Sequence, residues 1–151
     1  MLISSTLSLN ISDKGAKSTD AKELIQNAKR SNPATLAFLG DAVYELYIRR
    51  RLTADGSRQA DTLHKAAIQF VCASAQAKVF DSFLSILSED ELDILRRGRN
   101  AKTARVPKHS SVADYRKATA LETLFGYLSL SKQEERLEEL CDKAFEIISK
   151  G

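Results

Sequence analysis

The segment from Leu36 to Arg51, LAFLGDAVYELYIRRR, restricts the fold of this chain more than any other segment does. Asn32 is a favourable N-cap, and Pro33 suits the first helical position because the amide that proline lacks has no intrahelical partner there. Apolar residues recur at helical spacing on one face of the segment, and its opposite side is also largely apolar. Because a helix that is apolar nearly all round is a buried helix, the segment predicts the central helix of a bundle.

An acid lies within the apolar part of each of the two most apolar segments of the chain. Asp41 lies on the helix just described, and Glu122 is the only charged residue between Ala118 and Ser131. A buried charge is costly unless it is paired or coordinates a metal. Each acid alone could pair with an arginine or cap a neighbouring helix. The occurrence of both acids on such helices favours the interpretation that two carboxylates meet at one cation.

The rest of the chain also indicates helices, and no segment convincingly indicates a strand. Capping residues and apolar spacing predict helices from Thr19 or Asp20 to about Arg30, from Pro33 to about Thr53, from about Arg58 to Leu84, from Ser88 to about Arg97, from Asp114 to about Leu130 and from Ser131 to about Ser149. Ser88 with Glu91, and Ser131 with Glu134, match the capping-box pattern, and Gly98 is expected to end a helix. The predicted fold class is all-α.

The length of 151 residues suits one domain with a core of ordinary size. Residues 1–18 are rich in serine and lack helical spacing, so they predict a flexible N-terminal tail before a single helical domain at 19–151. No apolar run approaches the ~18 residues of a membrane span, so no membrane partner is expected. Cys72 and Cys141 lack metal-ligand spacing and indicate the reduced thiols of a cytoplasmic protein.

Positive charge is concentrated in residues 96–117. This segment has eight basic residues and the single acid Asp114, a net charge of +7, whereas the whole chain carries +3. A local excess of this size on a loop and its flanking turns is typical of a surface that binds a polyanion. The alternative is a solvated loop whose charge serves solubility.

Two motifs, FLGDA at 38–42 and ETLFGYL at 122–128, resemble the catalytic domain of ribonuclease III. The resemblance is closest to the small single-domain form of that family, Mini-ribonuclease III, whose own motifs are similar to LHK at 63–65 and RGRNAK at 97–102. It covers roughly residues 33–149. The resemblance implies a helical bundle of the ribonuclease III catalytic type that forms a symmetric homodimer.

The same resemblance implies an endoribonuclease, which is a phosphodiester hydrolase, that cleaves double-stranded RNA with Mg²⁺ or Mn²⁺. The family trims the precursor of the large-subunit (23S) ribosomal RNA in bacteria, so this precursor is the expected substrate, with a ribosomal protein as a further partner. The expected location is the cytoplasm. The alternative is a catalytically weak or inactive RNA-binding module on the same fold that assists ribosome assembly. Retention of both acids argues against this alternative.

The resemblance assigns catalysis and metal binding to Asp41 and Glu122. Larger members of the family carry further carboxylates where this chain has Ala37 and Thr119, and the Mini form shares that departure. Fewer carboxylates should mean weaker metal binding or more contacts through water. Thr119 is expected to hydrogen-bond a water on the metal, and Glu45 to act as an outer acid.

RNA is expected to bind to the basic segment and to the start of the long helix. The residues expected to bind RNA are Arg97, Arg99, Asn100, Lys102, Arg105, Lys108, Arg116, His64 and Lys65. Two of these, His64 and Lys65, could instead be the exposed start of an ordinary helix. Glu45 likewise has an alternative, an i,i+4 ion pair with Arg49.

The expected dimer needs an apolar surface. Tyr44, Tyr47 and Ile48 offer more apolar surface than one small bundle requires, which is compatible with a dimer interface on this part of the helix.

Overall fold

Seven α-helices form the part of the chain that the computed structural model describes, which comprises residues 20–54, 56, 58–102 and 106–151. They are α1 (Ala21–Arg30), α2 (Pro33–Thr53), α3 (Ala60–Val71), α4 (Ala73–Phe83), α5 (Glu89–Asn100), α6 (Val112–Leu130) and α7 (Glu134–Lys150). No strand occurs among these residues, so the all-α prediction is confirmed. Within the same ranges, no helix is both long and apolar enough to cross a membrane. The tail predicted at 1–18 lies outside the described residues.

Helix α6 is the centre of the bundle and packs mainly against α2, α4 and α5. Its fully buried side chains include Leu121, Leu124, Phe125 and Leu128. Its sequence explains this position, because apolar residues occur on every side of the helix and each side can face a neighbour. The ring of Tyr44 on α2 stacks on that of Phe125 with the centroids 5.1 Å apart, which ties the central pair of helices together.

Two glycines bring the backbones of α2 and α6 into direct contact. A Cβ atom placed on Gly40 would lie 1.7 Å from the carbonyl oxygen of Glu122. A Cβ atom placed on Gly126 would lie 1.8 Å from the carbonyl oxygen of Leu36. Any side chain at either position would therefore force the helices apart. Since Asp41 follows Gly40 directly, this contact fixes where the two acids lie relative to each other.

Helix α2 has one face in the core and one face open, so the prediction that it is buried all round was wrong. Tyr44 and Ile48 are 1% and 0% exposed, and both belong to the core. Phe38 and Leu46 are 83% and 52% exposed. The sequence could not separate these faces, because both are apolar. The dimer surface expected at Tyr44 and Ile48 is also corrected, because neither side chain reaches the surface.

The predicted long helix from Arg58 to Leu84 is two helices. At Cys72 the backbone is extended, with φ −65° and ψ 153°, and this residue ends α3 and precedes α4. The sequence does not indicate this break, because the apolar spacing continues across it and no glycine or proline lies there. The break frees the carbonyl oxygen of Val71, which accepts a hydrogen bond of 2.9 Å from Gln76 Nε2.

Two of the predicted helix ends differ from the structure. Gly98 lies inside α5, where a Cβ atom would be 2.5 Å from Thr123 Oγ1, so this glycine permits close packing against α6 rather than ending a helix. The capping box expected at Ser131 and Glu134 is absent from this described segment, because the Ser131 hydroxyl donates to the carbonyl oxygen of Tyr127 at 2.6 Å. The box at Ser88 is confirmed.

Candidate active site

Asp41 and Glu122 approach each other where α2 crosses α6. Asp41 follows the glycine that contacts the backbone of Glu122, so the close approach of the helices sets the separation of the two carboxylates. Asp41 is exposed, and Glu122 is partly buried. The prediction that both acids lie on buried surfaces was therefore wrong for Asp41, which projects from the open part of α2. The pair lies at the boundary between the core and the solvent.

Both carboxyl groups have raised pKa values, and the Asp41 carboxylate contributes to the shift of Glu122. Burial raises the pKa of Glu122 to about 7, the Asp41 carboxylate acts in the same direction, and a hydrogen bond from Gln76 acts in the opposite direction. The pKa of Asp41 is raised as well, first by partial burial and then by the charge of Glu45. A cation near both acids would offset their repulsion and the cost of burial. A perturbed acid that lines a cleft, as Glu122 does, is typical of functional sites.

A cleft of about 190 Å³ lies beside Glu122. Its walls come from the break between α3 and α4, from the segment before α6 and from α6 itself, and they include Gln76, Pro107, Tyr115 and Thr119. The Thr119 hydroxyl donates to the carbonyl oxygen of Tyr115 at 3.0 Å, and its oxygen can still accept a hydrogen bond. Thr119 therefore lies in the same cleft as Glu122, and its hydrogen bond to a metal-bound water stays a prediction.

Gln76 lies beside Glu122, although the sequence pattern did not predict it as a candidate site residue. Its side chain is 2% exposed and lines the same cleft as Glu122. Its Nε2 donates to the carbonyl oxygen of Val71 at 2.9 Å and to Glu122 Oε1 at 3.3 Å. Among the described residues, Gln76 Oε1 has no hydrogen-bond partner, although leaving a buried acceptor unpaired costs about 1–3 kcal/mol. The sequence held one indication, a polar residue between Ala75 and Ala77 on an apolar helix.

Glu45 forms an ion pair with Arg49, which was the alternative to its role as an outer acid. Its Oε1 accepts a hydrogen bond of 2.7 Å from Arg49 NH2, one turn further along α2. The carboxylate is near enough to raise the pKa of Asp41, so it contributes to the local field while it is paired with Arg49.

The residues present are suited to a hard divalent cation. In the described ranges, no group of three or more histidine, cysteine, aspartate or glutamate side chains could hold a metal ion. A cation at this place would therefore meet the carboxylates of Asp41 and Glu122, supplemented by neutral oxygens and water. Mg²⁺ is commonly bound in this way, through one or two carboxylates with several waters retained. Oxygen ligands also suit Mn²⁺.

Most of the predicted RNA-binding residues that the structure describes project into solvent from the end of α5, the following segment and α6. The exposed ones here are Arg99, Asn100, Lys102, Lys108 and Arg116. Arg105 lies outside the described residues. The Arg99 guanidinium carbon lies 6.0 Å from the centre of the Phe80 ring, so its position is partly fixed by packing.

Arg97 points inward, unlike its neighbours. Its NH1 donates to the carbonyl oxygen of Lys29 at 2.6 Å, and its NH2 donates to that of Ser31 at 3.4 Å. Both acceptors are at the C-terminal end of α1, where carbonyl groups lack intrahelical partners. Arg97 therefore attaches α1 to α5 and is not available as an RNA contact in this arrangement, which corrects its predicted assignment.

His64 and Lys65 lie on α3, away from the cleft that contains Glu122. Lys65 Nζ is 3.0 Å from Asp61 Oδ2, and both side chains are well exposed. His64 lines a separate pocket of about 200 Å³ together with Arg49 and Leu52. These positions agree with the alternative of an exposed helix start, and they place both residues outside the walls of the cleft.

Comparison with known proteins connects this geometry to a family. The model of the ribonuclease III domain matches residues 34–133, which include both acids. The chain is 46% identical over 127 residues to the Mini-ribonuclease 3 of Brevibacillus brevis, covering 84% of this chain and 95% of that protein. It is 38% identical over 123 residues to the Mini-ribonuclease 3 of Staphylococcus aureus, covering 80% of this chain and 92% of that protein.

A solved structure supports the fold. A protein of Fusobacterium nucleatum whose crystal structure is known superposes with a TM-score of 0.70 at 32% sequence identity. The match covers 78% of this chain and 93% of that one.

Proposed function

We propose that this chain, which belongs to the ribonuclease III family and is an endoribonuclease of that family, cleaves double-stranded RNA with a divalent cation held by Asp41 and Glu122. The observation that carries the proposal is the backbone contact between α2 and α6, because it brings the exposed acid of one helix to the partly buried acid of the other. The resemblance to Mini-ribonuclease 3 proteins supplies the substrate class.

Hydrolysis of a phosphodiester requires from the protein mainly the positioning of groups and the compensation of charge. A divalent cation, when bound, activates a water at neutral pH and compensates the charge on the leaving oxygen. Asp41 and Glu122 would hold Mg²⁺, with Mn²⁺ as the alternative ion. The protein itself orients the two carboxylates, since Gly40 fixes the crossing of the helices that carry them. Phosphoryl transfer requires little further covalent chemistry from side chains.

The exposed basic residues near the cleft are the proposed RNA-binding surface. A-form RNA is recognised largely through its phosphates and 2′-hydroxyl groups, which suits arginine, lysine and asparagine side chains. The proposed contacts are the exposed residues Arg99, Asn100, Lys102, Lys108 and Arg116, with His64 and Lys65 as more distant contacts. Arg105, which lies outside the described residues, is proposed as a contact from the sequence. The proposed natural substrate is the precursor of the large-subunit (23S) ribosomal RNA in the cytoplasm, with a ribosomal protein as a further partner.

The proposed assembly is a homodimer formed through the open face of α2. Phe38 and Leu46 expose large apolar surfaces there, and such patches mark interaction sites. A groove of about 730 Å³ lies beside Leu46 and is bordered by Tyr47 and by Leu137 of α7. A two-fold interface would use the same surface on both copies, which is the commonest arrangement of homo-oligomers. It would place one site on each subunit, so that both strands of a duplex can be cut.

The experiment that tests the function is incubation of the purified protein with long double-stranded RNA and, separately, with single-stranded RNA of the same sequence. We expect cleavage of the duplex with Mg²⁺, weak or absent cleavage of the single strand, and none with a chelator. The alternative of an inactive RNA-binding module predicts duplex binding without cleavage at every Mg²⁺ or Mn²⁺ concentration, and that result would overturn the proposal.

A further inference from the structure

The side chain of Gln76 is a buried amide to which the proposed reaction gives no role. It is 2% exposed, whereas the surrounding positions of α4 supply apolar side chains to the core, among them Val79 and Phe80. A glutamine at such a position is costly unless its amide is fully paired. A leucine or methionine would fill similar space on a helix without that cost. The presence of the amide therefore calls for an explanation beyond packing.

The amide of Gln76 is held at two points. Its Nε2 donates to the carbonyl oxygen of Val71 at 2.9 Å, a group that is available because the backbone is extended at Cys72 and α3 ends there. The same nitrogen donates to Glu122 Oε1 at 3.3 Å. The first bond fixes the orientation of the amide, so the second bond can restrict the orientation of the Glu122 carboxylate.

The oxygen of the same amide, Gln76 Oε1, provides a second observation. Throughout the described part of the chain, Gln76 Oε1 is the one buried side-chain nitrogen or oxygen without a partner. Exchanging the two atoms of the amide would direct oxygen at two acceptors, so the orientation with Nε2 toward Glu122 is the one that the surroundings allow. Gln76 lines the cleft together with Glu122 and Thr119, where a buried acceptor and a hydroxyl can both bind an ordered water.

We propose that Gln76 is a positioning residue of the cation site, which orients Glu122 through Nε2 and accepts a hydrogen bond through Oε1 from a water that the cation orders. This inference rests on the proposed function, because it requires a divalent cation at Asp41 and Glu122. Partners that orient a metal-binding side chain typically change metal affinity by 10–100-fold when they are removed. In a site with only two carboxylates, such support should matter more than in a site with many.

The test is a Mn²⁺ titration of the RNA-free full chain, with free Mn²⁺ measured by electron paramagnetic resonance. Gln76→Met keeps the approximate volume and removes both the donor and the acceptor. We expect its dissociation constant for Mn²⁺ to rise about tenfold. Its thermal midpoint should stay equal or rise, because an unpaired buried acceptor is removed. Gln69→Met is the matched control, since Gln69 is exposed on α3, and it should bind Mn²⁺ as the wild type does.

Kinetics provide a readout that a purely structural role would not change. Gln76→Met should have a KM for duplex RNA close to that of the wild type and a reduced kcat at limiting Mg²⁺, and higher Mg²⁺ should restore kcat. If Gln76→Met does not fold, the side-chain amide resonance of Gln76 in the wild type decides the question. That resonance should shift on addition of Mg²⁺, whereas the resonance of Gln69 should not.

The outcomes separate this inference from the proposed function. Mn²⁺ affinity of Gln76→Met within twofold of the control, or an unchanged Gln76 resonance with Mg²⁺, would overturn the role of Gln76. If Asp41→Asn binds Mn²⁺ as tightly as the wild type, the cation site itself is misplaced and both proposals fail. If Asp41→Asn loses Mn²⁺ while Gln76→Met retains it, the proposed function stands and the inference about Gln76 fails.

Discussion

Helices α2 and α6 are alike in sequence and different in the structure. Both are apolar on nearly every side, both contain one glycine of the interhelical contact, and each supplies one acid of the candidate site. Helix α6 is enclosed by other helices of its own chain, with Leu121, Leu124 and Phe125 fully buried. Helix α2 leaves Phe38 83% exposed. A helix that is apolar all round is therefore either enclosed by its own chain or available to a partner, and its sequence does not say which.

The difference between the helices also separates the two acids. Glu122, on the enclosed helix, is partly buried and has its pKa raised to about 7. Asp41, on the half-open helix, is exposed and can be reached from solvent. The candidate site thus combines one acid that the core orients with one acid that faces the solvent. An enzyme that acts on a rigid duplex needs its site at such a boundary, because the substrate cannot enter a deep pocket.

The largest expected effect is loss of cleavage when either acid is neutralised. Asp41→Asn and Glu122→Gln should each reduce cleavage of duplex RNA by about 10³-fold or more, which corresponds to about 4 kcal/mol. The amide keeps the size of the side chain but does not supply the anion that the cation requires. Glu23→Gln is the matched control, because Glu23 is exposed in the first turn of α1.

Circular dichroism of both variants should match the wild type, and initial cleavage rates should be measured across a Mg²⁺ titration. Near-normal cleavage by either variant over the whole titration would show that this residue does not hold the cation. It would also contradict the claim that the two helices supply one site together.

A phenylalanine on each helix tests the difference in burial. Phe125→Ala should lower the free energy of unfolding by about 3–5 kcal/mol, because Phe125 is 0% exposed and a cavity remains. Phe38→Ala should leave the folded monomer intact and reduce dimer formation, because its side chain contributes to no core of its own chain. Urea unfolding and sedimentation equilibrium at micromolar concentration give the two readouts. A dimer unaffected by Phe38→Ala would remove the open face of α2 from the interface.

The pH dependence of stability tests the environment of Glu122. The pKa of Glu122 is raised from 4.5 to about 7, so the folded state binds more protons than the unfolded state between these values. The contribution of Glu122 to the free energy of unfolding of the metal-free protein should therefore be fully present below pH 4.5 and be lost as the pH rises through 7, by at most about 3 kcal/mol. Glu122→Gln should remove this contribution and be the more stable protein at pH 8.

The pH test is run by urea unfolding at several pH values in the presence of a chelator. Equal pH dependence in wild type and Glu122→Gln would show that burial on α6 does not perturb this acid. Addition of Mg²⁺ should restore stability at pH 8 in the wild type only.

A smaller expected effect, on the salt dependence of duplex binding, distinguishes the exposed basic residues from Arg97, which points inward. Replacing Arg99, Lys102 and Lys108 with alanine should weaken duplex binding and reduce the salt dependence of log K by roughly 0.7–0.9 for each lost phosphate contact. Arg97→Ala should leave that slope unchanged and lower stability, because Arg97 donates to Lys29 and Ser31. Binding is measured across a salt titration with Ca²⁺ to suppress cleavage. Coincident slopes for wild type and the triple variant would place the RNA surface elsewhere.

Local chemistry allowed much of the helical framework to be predicted. The Asn32 cap accepts a hydrogen bond of 2.8 Å from the amide of Ala34, and the capping box at Ser88 is present as expected. These features depend on residues close in sequence, so the sequence shows them directly. The close approach of the two acids was also foreseen, because each is the unusual residue of an apolar segment.

The features that escaped prediction depend on contacts between distant segments. The break at Cys72 has no local marker, and Gly98 faces Thr123 of another helix. Gln76 is recognisable as a site residue only after α4 is placed against Glu122. The exposure of Phe38 depends on which neighbours enclose α2. Each of these facts belongs to tertiary packing, which apolar spacing along one helix does not encode.

The most direct test of the central claim is the position of a cation. Crystals of the RNA-free protein grown with Mn²⁺ should be measured for anomalous scattering, and the same should be done for Glu122→Gln. We predict an anomalous peak at coordination distance from carboxylate oxygens of both Asp41 and Glu122 in the wild type, and loss of that peak in Glu122→Gln. Mn²⁺ bound to the protein at another place, with no peak between these two acids at saturating concentration, would contradict the account.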